Sequence, residues 1–102
     1  MSVPIKLGER MAADRRLWIL ILLERTPSCS ANENLIHAAL PDYGHYVSQD
    51  TVRADFAWLE EQRLVAIEEI GGLMVARATA RGLDVATGRA IVPGVKRPAP
   101  GE

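Results

Sequence analysis

The sequence has no long apolar run, one cysteine and few aromatic residues. The longest apolar stretch, LWILILL at residues 17–23, is much shorter than the roughly 20 residues that a membrane-spanning helix needs. We therefore expect no membrane segment, and the first 16 residues contain no apolar signal segment. A lone Cys29 excludes an intrachain disulfide and fits a reducing compartment, so the expected location is the cytoplasm.

The sequence also lacks the motifs of catalysis. It has no glycine-rich phosphate loop, no nucleophile elbow and no HExxH, so we expect neither an enzyme nor a cofactor. The potential metal ligands are Cys29, His37 and His45, which are spaced eight residues apart. Because structural metal sites use closely paired ligands, this spacing predicts no metal site.

What the chain does have is an uneven distribution of charge. The formal net charge is only −1, but the first 16 residues and residues 77–102 are basic, whereas residues 24–76 are acidic. Residues 47–72 alone hold six acidic residues and two arginines. An asymmetry of this kind bears on the choice of partner more than on the fold.

The pattern of breakers and apolar positions predicts three helices in the first two thirds of the chain. The first spans residues 9–25 and stops at Thr26-Pro27, because the residue before proline avoids helical geometry. The second begins near Ser30, which has the capping-box spacing to Glu33. The third begins after Ser48.

Two strands and a short helix complete the predicted domain. Residues 64–70 and 73–79 are joined by Gly71-Gly72, which suits a tight hairpin turn. Thr79 can cap a short helix that ends at Gly88. The predicted organisation is an arm over residues 1–8, a domain over 9–88 and a Pro/Gly-rich tail over 89–102. The fold class is α+β and mostly α, a winged helix-turn-helix with a two-stranded wing.

The segment VSQDTVRADFAWLEEQRLV at residues 47–65 resembles the recognition helix and first wing strand of winged-helix repressors of the DeoR and ArsR types. Over residues 15–98 the chain is similar to a family of small Mu-like phage and prophage proteins that are often labelled ArsR-like, and the tail is the most specific part of the likeness. The resemblance implies a phage or prophage origin, a bacterial host and a winged-helix fold. Two positions depart from a DNA-reading pattern: Ala54 stands where a second basic residue is usual, and the wing tip at residues 70–73 lacks Lys and Arg.

The predicted DNA contacts follow from this fold. Gln49 and Arg53, with Ser48 beside them, lie near the start of the third helix, where base edges would be read. An alternative is that Arg53 is a solvated charge paired with Glu60 or Glu61. The candidate phosphate contacts lie outside that helix and are Arg15, Arg16, Lys96 and Arg97.

The apolar run in the first helix predicts a homodimer, because consecutive apolar residues sweep around the helix axis and leave one side uncovered. The candidate interface residues are Leu17, Trp18, Ile21 and Leu22. The alternative is that the C-terminal helix of the same chain covers that side. The tail either crosses such a dimer or is disordered.

The leading functional expectation is a phage-encoded regulator that binds duplex DNA as a homodimer. The alternative is a protein-interaction module in phage assembly that contacts another phage protein and no DNA. Fold alone does not choose between them, because function resides in the site.

Overall fold

The computed structural model describes residues 5–100, which form four α-helices and a three-stranded antiparallel sheet. The fold is α+β and mostly helical. In chain order the elements are α1 (Ile5–Arg25), β1 (Ser30–Asn32), α2 (Glu33–Ala39), α3 (Gln49–Glu61), β2 (Val65–Ile70), β3 (Leu73–Ala78) and α4 (Ala80–Ala86). No helix within residues 5–100 is both long and apolar enough to cross a bilayer.

Helix α1 begins earlier than its sequence suggests. The expected arm over residues 1–8 is wrong for residues 5–8, which are helical, while residues 1–4 lie outside the described part of the chain. Gly8 lies inside this helix at an exposed position, where glycine costs roughly 1 kcal/mol relative to alanine. The other end is as predicted: α1 stops at Arg25, and the Thr26 hydroxyl donates to the Leu23 carbonyl over 2.7 Å.

A strand replaces the predicted start of the second helix. Residues Ser30–Asn32 form β1 and pair with β3, so the capping box from Ser30 to Glu33 is wrong. Asn32 caps α2 instead, and its Oδ1 accepts from the Leu35 amide over 2.8 Å. This releases the Glu33 side chain from capping and lets it turn inward.

The hairpin of β2 and β3 has the predicted register. The central strand of the sheet is β3, in the order β1-β3-β2. Gly71 and Gly72 have φ angles of 59° and 83°, as a tight two-residue turn requires. Val65 pairs with Ala78, and both are buried on the core face.

Side-chain caps fix the start of α3 and α4, as the sequence predicts. Ser48 Oγ accepts from the Thr51 amide over 3.1 Å, and Thr79 Oγ1 accepts from the Gly82 amide over 3.1 Å. Gly82 lies against the backbone of Leu64, where an added Cβ would stand 2.0 Å from the carbonyl oxygen. The hairpin and α4 therefore meet through a contact that only glycine allows.

The tail lies along its own chain. Over residues 89–100 it has no helix or strand, as predicted, but Val92 and Val95 are buried in the core. The Lys96 amide donates to the Ala13 carbonyl over 3.2 Å. The expectation of a disordered tail is therefore wrong, because the segment packs on α1 of its own chain, while its position across a dimer stays a prediction.

The core also accounts for most of the apolar run in α1. Leu17 and Ile21, two of the four candidate interface residues, are buried within the chain and are not available to a partner. Trp18 and Leu22 are half-buried, and α4 packs against α1. The packing of α4 on α1 agrees with the alternative in which the C-terminal helix lies against this helix, but Trp18 and Leu22 are not fully covered.

Candidate interaction surface on helix α3

Helix α3 presents an acidic and alanine-rich surface to solvent. Val52, Phe56 and Leu59 are buried on one side, together with Asp55. The opposite side consists of four exposed residues, Asp50, Ala54, Ala57 and Glu61, which we call the outer face of α3. This division agrees with the helical periodicity of the sequence.

A buried glutamate at the start of α2 organises the polar side chains beside that face. Glu33 is only 2% exposed. Its Oε2 accepts from the Met74 amide over 2.7 Å and from Arg53 Nη1 over 2.9 Å. Its Oε1 accepts from Gln49 Nε2 over 2.9 Å. One carboxylate therefore joins α2, α3 and β3.

These donors hold Glu33 in its charged form. The hydrogen bond from Gln49 is the largest cause of a pKa below the ordinary glutamate value, followed by the bond from the Met74 amide. Burial acts in the opposite direction, and the positive charge of Arg53 adds to the lowering. Glu33 is thus a permanent anion at neutral pH, and its charge is directed at the two residues expected to read bases.

Gln49 and Arg53 are both engaged within the chain. The Gln49 amide also donates to Asn34 Oδ1 over 2.7 Å. Arg53 reaches Glu69 over 3.5 Å as well as Glu33. The expected pairing of Arg53 with Glu60 or Glu61 is wrong, since Glu60 instead accepts from the amide of Ile67 over 3.1 Å. Ser48, the third candidate, uses its hydroxyl as the helix cap.

The side chains of Arg15 and Arg16 in α1 are largely buried and bind other parts of the chain. Arg15 Nε donates to Asp55, and Arg15 Nη2 donates to the other carboxylate oxygen over 3.1 Å. Asp55 is 3% exposed, so this ion pair lies largely out of water. The interpretation of Arg15 as a phosphate contact is therefore wrong in this structure.

Arg16 is held by three neighbours. Its guanidinium lies 4.0 Å from the centre of the Trp58 ring, and its Nη1 donates to the Gly94 carbonyl over 3.0 Å. Its Nε is 3.9 Å from Asp55 Oδ1, too far for a hydrogen bond. Burial lowers the pKa of Arg16 below its ordinary value, whereas Asp55 raises it and Arg15 lowers it further. Arg16 joins the tail to α1 and α3, so its expected role as a phosphate contact is also wrong here.

The two tail cations differ in their surroundings. Lys96 Nζ lies 3.3 Å from Asp14 Oδ1, so it also faces a carboxylate of its own chain. Arg97 is exposed next to it and remains compatible with the expected contact to DNA.

The β2–β3 hairpin adds further negative charge beside α3. Glu68 and Glu69 are exposed on β2. Ile70 is 57% exposed next to the glycine turn, so the tip of the hairpin presents an apolar side chain and no cation. The hairpin and the outer face of α3 therefore have the same sign of charge.

The three potential metal ligands are separated in space. His37 Nε2 donates to the Val47 carbonyl over 2.7 Å, and His45 Nε2 donates to Asp14 Oδ2 over 2.7 Å. Cys29 is half-buried. Over residues 5–100 no group of three His, Cys, Asp or Glu side chains converges on a point.

Comparison with known proteins relates the chain to phage Mu. The uncharacterized protein gp26 of Escherichia phage Mu is 45% identical over 96 residues, which cover 92% of this chain and 97% of gp26. The chain belongs to the family of phage Mu gp26. An uncharacterized protein of Haemophilus influenzae is 42% identical to this gp26 relative over 80 residues, 78% of each chain. No family model matches. The expected likeness to Mu-like phage proteins is thus confirmed.

Proposed function

We propose that this gp26 relative is a winged-helix protein that binds another protein through the outer face of α3. The order of its elements supports the winged-helix interpretation and the ArsR-like resemblance: α1, β1, α2 and α3 precede the β2–β3 hairpin, and β1 joins the same sheet. On this proposal α3 corresponds to the recognition helix and the hairpin to the wing.

The observation that supports protein binding is the engagement of Gln49 and Arg53 by the buried Glu33. Affinity for DNA comes largely from cations that neutralise phosphates. The outer face of α3 instead offers Asp50 and Glu61, and Glu69 lies close to Arg53. A surface of this charge repels a phosphate backbone and suits a basic partner, because complementary potentials favour association.

The remaining chemistry of the surface suits contact with a protein. Ala54 and Ala57 lose no side-chain entropy when they are covered, and they let a partner approach the helix closely. Tyr46 is 83% exposed just before α3, and tyrosine is a frequent energetic centre of interfaces. We therefore propose a basic phage protein as the partner, in assembly within the host cytoplasm.

One substitution distinguishes this function from DNA binding. Ala54→Arg adds a long cation to the outer face of α3, so it should block a docked protein but strengthen any contact with phosphates. Tagged full-length protein would be recovered from cells in which a related prophage is induced. We expect a stoichiometric partner with wild type and its loss with Ala54→Arg.

The matched control is Ala99→Arg, which adds the same side chain at an exposed position of the tail. It should leave the partner bound. Loss of the partner in both variants, or in neither, would contradict docking on α3. Circular dichroism of both variants would verify that the fold is retained.

A DNA-binding regulator is the second candidate, and the arrangement of α2, α3 and the hairpin favours it. Phosphate contacts would then fall to exposed cations such as Arg97 and Arg81. If the protein binds DNA, Ala54→Arg should have the opposite effect and raise the affinity for duplex DNA.

The homodimer also stays a proposal. With Leu17 and Ile21 buried, its contacts would centre on the half-buried Trp18 and Leu22, and on the exposed Leu7 and Met11 of the same helix. Light scattering at tens of micromolar tests it, since most specific dimers persist at about that concentration.

A further inference from the structure

A cleft of about 600 Å³ lies between α1, the turn before α3 and the tail. Its size falls within the range of small-molecule sites, roughly 300–1,000 Å³. It shares no residue with the outer face of α3. The lining residues are Arg10, Met11, Ala13, Asp14, Tyr43, Gly44, His45 and Lys96.

A polar cluster fixes one wall of the cleft. Asp14 accepts from His45 Nε2 over 2.7 Å and faces Lys96 Nζ over 3.3 Å. The side chain of His45 is 6% exposed and that of Asp14 is 27% exposed, so the bond between them is partly shielded from water. The Lys96 amide donates to the Ala13 carbonyl, which holds the tail against α1. The wall is therefore formed before any ligand arrives.

Tyr43 and Met11 give the lining of the cleft an apolar part. Tyr43 stacks on Trp18 with ring centroids 4.0 Å apart and an interplanar angle of 21°. Met11 is 48% exposed, although it is a large apolar residue in a well-formed helix. A flexible thioether beside a fixed aromatic ring is a surface that can adapt to an apolar ring or chain.

The charges of the lining residues indicate the sign of the charge that a ligand should carry. Arg10 and Lys96 are positive and Asp14 is negative, so the lining carries one net positive charge when His45 is neutral. Lys96 faces Asp14 over 3.3 Å, whereas Arg10 is exposed at the rim of the cleft, so the attraction for an anion centres on Arg10. We propose that this cleft binds a small organic anion with an apolar ring or chain, with the anionic group at Arg10 and the apolar part between Met11 and Tyr43.

The test uses amide NMR spectra of ¹⁵N-labelled full-length protein titrated with hydrocinnamate. We expect saturable shifts at Met11, Gly44 and His45, with a Kd on the order of 1–10 mM for so small a probe. The neutral amide and the cationic amine of the same skeleton should bind at least about threefold more weakly. Phenyl phosphate in a parallel titration shows whether a phosphate or a carboxylate is preferred.

Arg10→Gln should weaken hydrocinnamate binding roughly three- to tenfold, the effect of removing one partly solvated charge near the anion. The matched control is Arg25→Gln, which removes an exposed guanidinium of the same helix outside the lining and should leave the Kd within about twofold of wild type. Equal binding of hydrocinnamate, its amide and its amine, or no saturable shift at these residues up to about 50 mM, would overturn the proposal. Neither result bears on protein docking at α3.

Discussion

Removing the carboxylate of Asp55 should destabilise the protein strongly, because two arginines depend on it. Asp55 is 3% exposed, and it binds Arg15 directly while Arg16 stands 3.9 Å away. Breaking a buried pair from one side costs about 3–5 kcal/mol, since the remaining charge loses its compensation. The side chains of Arg15 and Arg16 are 12% and 20% exposed and can regain some water. We therefore expect about 3 kcal/mol for Asp55→Ala.

That loss is large for a domain whose total stability is on the order of 5–15 kcal/mol. It corresponds to a fall in Tm of roughly 12–24 °C, measured by circular dichroism. Glu61→Ala is the matched control on the same helix, because this exposed carboxylate should contribute less than about 0.5 kcal/mol.

A second comparison separates the charge from the packing. Asp55→Leu alone leaves Arg15 without its partner, whereas Asp55→Leu with Arg15→Met replaces the pair by apolar groups. The double variant should be more stable than Asp55→Leu alone. If Asp55→Ala costs less than about 1 kcal/mol, like an ordinary surface pair, the account of this cluster is wrong.

Three other substitutions should change stability through contacts described above. The pKa of Glu33 in the folded protein lies below its ordinary value of 4.5. The stabilisation from its charge is therefore complete above pH 4.5 and is lost as the pH falls through the folded pKa. In urea unfolding, Glu33→Gln should reduce the fall in the free energy of unfolding at acid pH. Gly94→Ala would place Cβ 2.6 Å from Trp58 Cζ2 at a φ of +95°, so we expect a loss of about 1–3 kcal/mol and faster proteolysis of the tail. Gly82→Ala would collide with the Leu64 carbonyl and should cost about 3 kcal/mol or more in thermal unfolding, while Gly8→Ala should be tolerated.

Local signals in the sequence predict much of the fold. Thr26-Pro27 ends α1, Ser48 and Thr79 cap α3 and α4, and Gly71-Gly72 sets the hairpin register. Each depends on the geometry of a few neighbouring residues, so it can be recognised from a short stretch of chain. The acidic outer face of α3 follows in the same way from helical periodicity.

The parts that were missed depend on contacts distant in sequence. Strand β1 has three residues and is defined by its pairing with β3, more than 40 positions later. The tail looks irregular, and its order depends on Arg16, Trp58 and the burial of two valines.

The sequence predicts which residues lie at the candidate site, but not how they are bonded to one another. Helical periodicity predicts that Gln49 and Arg53 lie beside the outer face of α3, but it does not predict that both bind Glu33. Glu33 has the spacing of a capping glutamate, and its burial becomes evident only once α3 and β3 close over it. A buried acid near two expected DNA-reading residues cannot be inferred from spacing alone.

The most direct test of the central claim is fluorescence anisotropy of labelled duplex DNA with wild-type protein at about 50 mM salt, where phosphate contacts are strongest. The outer face of α3 should repel the DNA backbone, so we expect no saturable binding tighter than about 10⁻⁴ M. Ala54→Arg in the same assay shows how much a single added cation changes the signal. Micromolar, salt-dependent binding by wild type that Arg53→Ala abolishes would contradict the assignment of α3 to a protein partner.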